Sequence, residues 1–229
     1  EEIIMRVLER LARETGREYA LRVLKENIVG LDLLPGSMLS ENEIASCLNL
    51  SRTPVREAFI ELSKVKIVEI YPQKGSVVSL IDYNMVEEAR FMRYVLESAV
   101  VELVCQKITP DWIRKLEENV TLQQFHLDNH RPERLLELDN EYHQMLFEIA
   151  EKTQVFVLME SISIHYDRVR SLALKAIKDI KTVDDHRMIL KAVSEGNAEE
   201  AKRLMEKHLN RYKVDRETME SAYPQYFKA

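Results

Sequence analysis

The chain has 229 residues, a net charge of −6, 45% hydrophobic and 31% charged residues, five glycines and six prolines. Average proteins contain about 7% glycine and 5% proline. The composition therefore excludes a disordered or collagen-like chain and predicts a folded, mostly helical protein. The length suits one large domain or two small ones. Because the sequence contains no apolar run near the roughly 20 residues of a membrane span, we expect no membrane partner.

Three further features indicate what kind of protein this is. They are the two cysteines, the first residues and the distribution of charge. Cys47 and Cys105 lie far apart without metal-type spacing, which predicts reduced, small core residues in a cytoplasmic protein. The start, residues 1–4, lacks the basic character of a signal peptide. Residues 20–80 carry seven basic and seven acidic side chains. If this neutral region binds nucleic acid, it must use a few well-placed basic groups.

Glycine distribution predicts two regions of different structure. Four of the five glycines fall in the first 75 residues, and Gly196 alone follows residue 84. This shift predicts a small, turn-rich domain over residues 1–80 and an all-helical domain over residues 84–215. The last residues, 216–229, are expected to form a C-terminal tail.

The first 80 residues predict helices followed by a hairpin. In chain order these are an amphipathic extension (1–14), helices at 19–29, 43–48 and 53–62, and strands at 67–71 and 76–80. Ser40 begins a capping-box pattern. Thr53 and Pro54 provide a capping hydroxyl and a proline for the first helical position. Pro72 to Gly75 forms the hairpin tip. This order is that of a winged helix-turn-helix.

The start of the third helix predicts contacts with DNA. Arg52 and Arg56 lie one turn apart, so both can face the major groove, where the arginine fork matches two guanine acceptors. The hydroxyl groups beside them suit phosphates, and the hairpin tip can enter an adjacent minor groove. The predicted DNA contacts are Ser51, Arg52, Thr53, Arg56, Lys74 and Gly75. Two arginines that merely solvate a surface helix are the alternative, which the ordered helices and hairpin disfavour.

Three segments of this region resemble the GntR family of bacterial transcription regulators. They are Leu34–Glu41, Ser51–Ala58 and Lys74–Val78, within a resemblance that covers about residues 15–80. One departure is Val65-Lys66, which stands where the family has Glu-Gly before the first strand of the wing. The resemblance implies a DNA-binding regulator.

The rest of the chain predicts a bundle of six helices, so the fold class is mainly α. The helices span about residues 85–107, 109–120, 132–150, 154–177, 182–196 and 197–209. Asp139 and His143 are four residues apart and share one face with apolar side chains. His186 and His208 each lie on the apolar face of a later helix. Three histidines and one aspartate therefore point inward.

Burial of these four groups without a common partner would be costly. A divalent cation would satisfy all of them, with zinc first and nickel, manganese or iron as other choices. The alternative for any one buried histidine is a core residue hydrogen-bonded to a neighbour. His126 and His130 are also four apart, but they lie at a polar helix end and favour solvation.

The helical region is similar to the FCD ligand-binding domain of the FadR-like subgroup. Asp139-x3-His143, His186 and His208 stand at the positions that bind metal in members with this pattern. The resemblance implies a cavity for a small organic acid, with Arg93 as the partner of its carboxylate. An ion pair between Arg93 and Glu97, one turn further on, is an equally open alternative.

These features predict a transcription regulator and not an enzyme. It is expected to bind a pseudo-palindromic operator in double-stranded DNA as a homodimer, with a divalent metal and a small carboxylate effector that modulate operator affinity. The linker near residues 81–83 is the expected point of coupling. Two alternatives stay open, a metal-dependent hydrolase and a regulator whose metal is purely structural. Against the hydrolase, the sequence shows no obvious general base beside the ligands.

Overall fold

The computed structural model describes residues 5–73, 75–176, 181–210 and 216–228. The helices are α1 (Gly16–Val29), α2 (Glu41–Cys47), α3 (Arg52–Lys64), α4 (Tyr83–Lys107), α5 (Pro110–Asp128), α6 (Pro132–Ile149), α7 (Thr153–Ala176), α8 (Thr182–Ser194), α9 (Ala198–Asn210) and α10 (Arg216–Ala222). The strands are β1 (Met38–Leu39), β2 (Val68–Tyr71) and β3 (Gly75–Val78). The prediction of a mainly α protein with a winged helix-turn-helix followed by a helical bundle is confirmed.

The N-terminal part packs α1, α2 and α3 against a small antiparallel sheet. Thr15 accepts a hydrogen bond from the backbone of Glu18 and Glu18 returns one, which is the capping box that begins α1. The sheet has the strand order β1-β3-β2, and Tyr71 pairs with Gly75 across the hairpin tip. The two-residue strand β1 is too short to show a sequence period and was not predicted.

The third helix begins two residues earlier than the capping pattern indicated. Ser51 is the N-cap and α3 starts at Arg52, so the predicted cap at Thr53 was wrong. Pro54 then occupies the third helical position. A proline is tolerated there because the backbone N–H groups of the first turn have no partner within the helix.

The N-terminal extension is irregular where its apolar spacing suggested a helix. The backbone N–H of Arg6 donates to Oδ1 of Asn27 at 2.6 Å, and the Asn27 amide donates back to the carbonyl of Arg6 at 2.9 Å. The hydroxyl of Tyr19 donates to the carbonyl of Leu8 at 2.7 Å. Bonds to α1 thus take the place of helical bonds, and the described residues 5–15 cover α1.

The turn after α3 adopts a left-handed backbone without glycine. Lys66, which stands where the resembled family has glycine, has φ of 58°. Its N–H donates to the carbonyl of Ser63 at 3.0 Å, and the N–H of Ile67 donates to Leu62 at 3.0 Å. Its own carbonyl accepts from the hydroxyl of Ser79 at 2.7 Å. These bonds offset the roughly 1–2 kcal/mol that this conformation costs an L-residue.

The helical part surrounds one apolar core. Helix α4 packs against α7 and α9, while α5 packs against α6 and α8. Tyr142 of α6 is fully buried among these helices. The two cysteines are free, and Cys47 is exposed while Cys105 is half-buried. The prediction that Cys47 is a core residue was wrong, because α2 presents it on the solvent side.

The C-terminal segment is folded, although it was expected to be a tail. After α10, residues 224–226 form a 3-10 turn, and Phe227 stacks on Tyr83 with ring centroids 5.1 Å apart. The N–H of Ile81 donates to the carbonyl of Tyr226 at 2.8 Å, and the N–H of Lys228 donates back to Ile81 at 2.9 Å. These contacts hold residues 226–228 against the linker between the two parts and against the start of α4.

Alanine at Phe227 is expected to lower the free energy of unfolding by about 3 kcal/mol, because a buried phenylalanine is replaced by a cavity and a ring stack is lost. Phe227 is 8% exposed. Urea unfolding at one fixed protein concentration would measure the change. The exposed neighbour Gln225→Ala is the control and should differ from the wild type by less than about 0.5 kcal/mol. Equal stability of both variants would contradict a stabilising role for the packing of Phe227 on Tyr83.

Candidate DNA-binding surface and metal centre

The predicted DNA contacts that the structure describes lie on one exposed surface. Ser51 and Thr53 are exposed at the start of α3, and Arg52 and Arg56 line a concave surface between α2, α3 and the hairpin. Gly75 lies on the hairpin side of this surface with φ of 105°, a conformation that suits glycine. Lys74 lies outside the described residues.

Glu41 of α2 belongs to this surface and was not predicted. Its carboxylate accepts from Nη2 of Arg52 at 3.1 Å. The ion pair crosses the turn between α2 and α3, so only the packing of these helices reveals it. It holds the Arg52 guanidinium on the same concave surface as Arg56.

The four candidate metal ligands converge in the helical part. One ligand atom from each of Asp139, His143, His186 and His208 lies within 4.8 Å of the others. Nε2 of His208 lies 3.3 Å from Nε2 of His143, and Nε2 of His186 lies 3.6 Å from Oδ1 of Asp139. Helices α6, α8 and α9 supply these side chains, as the apolar faces of their helices indicated.

A carboxylate or amide oxygen faces Nδ1 of each histidine, and the contact at His186 is a hydrogen bond. His186 Nδ1 lies 2.8 Å from Oε1 of Gln123, and His143 Nδ1 lies 2.5 Å from Oε2 of Glu97. His208 Nδ1 lies 3.6 Å from Oδ2 of Asp185. The acceptor at Nδ1 of His186 favours the tautomer with its proton there and leaves the Nε2 lone pair of His186 facing the cluster. The supporting residues Gln123, Glu97 and Asp185 were not predicted.

Burial keeps these imidazoles neutral. It lowers the pKa of His143 to about 4, although Glu97 opposes the shift, and it lowers the pKa of His186 well below its usual value. Burial would raise the pKa of Glu97, but Arg93 and His143 hold it below its usual range. At neutral pH the cluster therefore presents unprotonated nitrogens and an ionised supporting carboxylate, the forms that bind a metal.

The donor set fits a divalent cation. Among the described residues, the buried Nε2 of His186 has no hydrogen-bond partner, and it faces carboxylate oxygen Oδ1 of Asp139 at 3.6 Å. Two nitrogens bound to one zinc ion in tetrahedral geometry lie roughly 3.3 Å apart, close to the observed His143–His208 separation of 3.3 Å. A shared cation would satisfy the ring nitrogens and the carboxylate oxygen that face one another in this cluster.

Arg93 lies beside this cluster and is buried. Its Nε donates to Oε1 of Glu97 at 2.7 Å, and its guanidinium lies over the ring of Tyr166 at 5.4 Å. Glu97 in turn contacts His143. The geometry thus contains the ion pair that the sequence left open as the alternative, and Arg93 orients the carboxylate behind a candidate ligand. Effector binding by Arg93 stays a prediction.

Each of the two parts of the structure matches a known protein family. Residues 18–78 match the family described as bacterial regulatory proteins, gntR family, and residues 88–211, over half of the chain, match the FCD domain. The chain belongs to the GntR family and carries an FCD domain. It is accordingly a DNA-binding transcription regulator of the GntR/FCD type.

Relatives of this GntR regulator span most of its length. The HTH-type transcriptional repressor RspR of Escherichia coli K12 is 32% identical over 189 residues, which cover 82% of this chain and 83% of RspR. An HTH-type transcriptional regulator in an unstable DNA locus of Streptomyces ambofaciens is 32% identical over 215 residues, 93% of this chain and 90% of the relative.

Solved structures share the fold. The structure of E. coli McbR/YncC has a TM-score of 0.79 at 18% identity and covers 91% of this chain and 99% of its own. A GntR regulator from Rhodococcus sp. RHA1 has a TM-score of 0.70 at 22% identity, with coverage of 90% and 98%. In the described part of this regulator, we find no helix with the length and apolar character needed to cross a membrane.

Helix α7 of the FCD domain contacts both the candidate metal centre and the DNA-binding domain. On one side Arg170 forms an ion pair with Asp139. On the other, Nε2 of His165 lies 2.7 Å from the carbonyl of Val65 at the end of α3, and Arg168 donates to the carbonyl of Ser79 at 2.5 Å. Through these contacts a shift of α7 would reach both the recognition helix and the linker.

Proposed function

We propose that this regulator binds a pseudo-palindromic operator as a homodimer, and that a divalent cation and a small organic acid in the FCD domain set its operator affinity. The observation that carries the proposal is the convergence of Asp139, His143, His186 and His208, whose ligand atoms lie within 4.8 Å of one another. Oxygen atoms face Nδ1 of all three histidines, which supports a metal site over three unrelated core residues.

Three imidazoles and one carboxylate suit zinc, nickel, manganese or iron, and zinc is the first choice. When bound, such a cation acts as a Lewis acid that can accept a carboxylate oxygen of the effector. The residues of this chain supply neutral nitrogens, one anionic oxygen and a water-poor setting. Arg93 keeps Glu97 ionised beside His143 and is itself a proposed contact of the acid.

The DNA side of the proposal uses two copies of the exposed surface on α3. In helix-turn-helix dimers the recognition helices read half-sites about one turn of DNA apart. Ser51, Arg52, Thr53, Arg56 and Gly75 form the proposed contacts of each copy, together with Lys74. Effector binding changes DNA affinity only if the effector binds two domain arrangements with different affinity. Helix α7 and the linker, predicted near residues 81–83 and spanning residues 79–82 between β3 and α4, are the proposed coupling elements.

Elemental analysis tests the proposed binding of metal and effector by the FCD domain. The protein is untagged and is purified without added metal or chelator. We expect about one divalent metal ion per chain, and we expect small carboxylates to change both the melting temperature and the operator affinity at fixed salt. A metal that is present while no acid changes either quantity would indicate a purely structural role. Metal-free protein, even after reconstitution, would contradict the metal site and leave DNA binding intact, because DNA binding depends on different residues.

A further inference from the structure

The linker and the C-terminal segment pair with each other, and both lie outside the residues that match the two families. The linker covers residues 79–82 and the C-terminal segment covers residues 216–228. The N–H of Ile81 donates to the carbonyl of Tyr226 at 2.8 Å, and the carbonyl of Ile81 accepts from the N–H of Lys228 at 2.9 Å. Both backbone polar groups of Ile81 are therefore bonded to the C-terminal segment.

The C-terminal segment also supplies buried side chains to the junction between the two domains. Its residues Met219 and Phe227 are both buried. They belong to an apolar cluster with Leu31, which follows α1 of the DNA-binding domain, with Val86 of α4 and with Val169 of α7. One apolar cluster thus joins the DNA-binding domain, the FCD domain and the C-terminal segment.

The contact of α7 with the linker is less favourable than this apolar packing. Arg168 donates to the carbonyl of Ser79 through Nη2, but its Nε and Nη1 have no hydrogen-bond partner in the described part of the chain. Arg168 is fully buried. A buried guanidinium with unpaired nitrogens costs free energy, which reduces the gain from its one bond. The C-terminal segment, with two backbone bonds and apolar burial, therefore contributes more to the position of the linker.

The position of the linker matters for DNA binding because domains in one chain move relative to each other unless a substantial apolar interface prevents it. In a dimer, the two α3 helices must match the separation of two half-sites. One additional base pair moves a half-site by about 3.4 Å along the DNA and rotates it by about 35°. A DNA-binding domain on a fixed linker cannot follow that change, whereas one on a free linker can.

We propose that the C-terminal segment determines which half-site spacing this regulator accepts, because it fixes the linker and with it the orientation of the DNA-binding domain. The inference rests on the proposed homodimer. The segment is a positioning element and takes no part in the contacts of α3 with a half-site. Its release therefore changes the preference for spacing and leaves the affinity for a single half-site unchanged.

Met219→Ala and Phe227→Ala test whether the segment fixes the linker, since each removes one buried side chain from the junction. Amide hydrogen exchange over residues 79–83 is measured well below the melting temperature of each protein. We expect exchange to be faster than in the wild type by about tenfold or more. Phe227→Leu keeps an apolar side chain in place and should be intermediate, and it gives the same reading if an alanine variant folds poorly.

The spacing preference is measured by anisotropy at one fixed salt concentration. The duplexes are the operator selected by the wild type, derivatives with one or two base pairs inserted or removed between the half-sites, and a duplex with one half-site. We expect the wild type to bind the selected spacing at least about tenfold more tightly than the altered ones. In Met219→Ala and Phe227→Ala this ratio should fall below about threefold, with unchanged affinity for the single half-site.

Leu116→Ala is the matched control, because Leu116 is buried in α5, which packs against α6 and α8. It should lose comparable stability and keep both the slow exchange of the linker and the spacing preference. Unchanged linker exchange in the Met219 and Phe227 variants would overturn the inference. So would faster exchange with the wild-type spacing preference, an equally broad preference in Leu116→Ala, or a wild type that accepts every spacing equally. A wild type that binds one half-site as tightly as two would contradict the proposed homodimeric reading itself.

Discussion

Alanine at Arg56 or Arg52 is expected to weaken operator binding by about 5- to 150-fold, the equivalent of about 1–3 kcal/mol for the loss of one bidentate contact with guanine. Both side chains are exposed on the concave surface beside the hairpin. Neither contributes to the apolar core, so we expect both variants to fold with melting temperatures near that of the wild type.

The measurement is an anisotropy titration at one fixed salt concentration, with operator DNA selected from a random-sequence pool by the wild-type protein. A scrambled duplex of equal length reports non-specific binding. We expect the arginine variants to lose affinity mainly for the operator, because phosphate contacts supply most non-specific affinity and base contacts supply sequence preference. The preference for operator over scrambled DNA is therefore the quantity to compare.

Arg114→Ala is the matched control for Arg52→Ala. Arg114 is exposed on α5 and pairs with Asp111 at 2.9 Å, much as Arg52 pairs with Glu41 at 3.1 Å. Both substitutions remove one positive charge and one surface ion pair, but Arg114 lies on the FCD domain. If the three alanine variants bind the operator equally well, α3 does not read the DNA through these arginines.

The residues that share one face of a long helix could be predicted, because the helical period within a single element determines them. Asp139 and His143, four residues apart, had to share a face of any helix that contained them. His186 and His208 likewise follow from the apolar residues beside them. That the three faces meet at one point was expected from burial and charge, since isolated buried ionisable groups are costly.

Contacts between distant elements could not be predicted in the same way. The ion pairs of Arg170 with Asp139 and of Arg52 with Glu41 depend on the packing of two helices. The irregular path of residues 5–15 was missed because the side chain of Asn27 supplies bonds that a helix would have made internally. The contact of Phe227 with Tyr83 was missed for a related reason. Phe227 belongs to no periodic pattern in the sequence, and its partner Tyr83 is distant in the chain and meets it only in the folded protein.

Alanine at His186 is expected to lower metal affinity by more than about 100-fold, because replacing residues that only support a ligand already costs about 10- to 100-fold. In the wild type, zinc at a thousand times its Kd would stabilise the native state by about 4 kcal/mol. For a chain of this length that corresponds to a rise in melting temperature of about 8–16 °C. The rise should vanish in the variant.

The useful quantity is the difference in melting temperature with and without zinc, measured for each protein against its own chelated form. His186 is buried, stacks on Tyr142 at 4.2 Å and contacts Gln123. Its removal therefore destabilises the metal-free protein as well. Asp139→Asn keeps the shape of the side chain and removes the anionic ligand, so it gives a second reading if His186→Ala folds poorly.

His130→Asn provides the control, because His130 is exposed with φ of 52° and asparagine tolerates that backbone. It should keep the full zinc content and the full zinc-dependent rise in melting temperature. A full zinc content in both His186→Ala and Asp139→Asn would place the metal elsewhere in the chain. Loss of zinc in these two variants alone would locate the metal at the cluster. There Arg170 of α7 pairs with Asp139, and two other side chains of the same helix contact the end of α3 and Ser79.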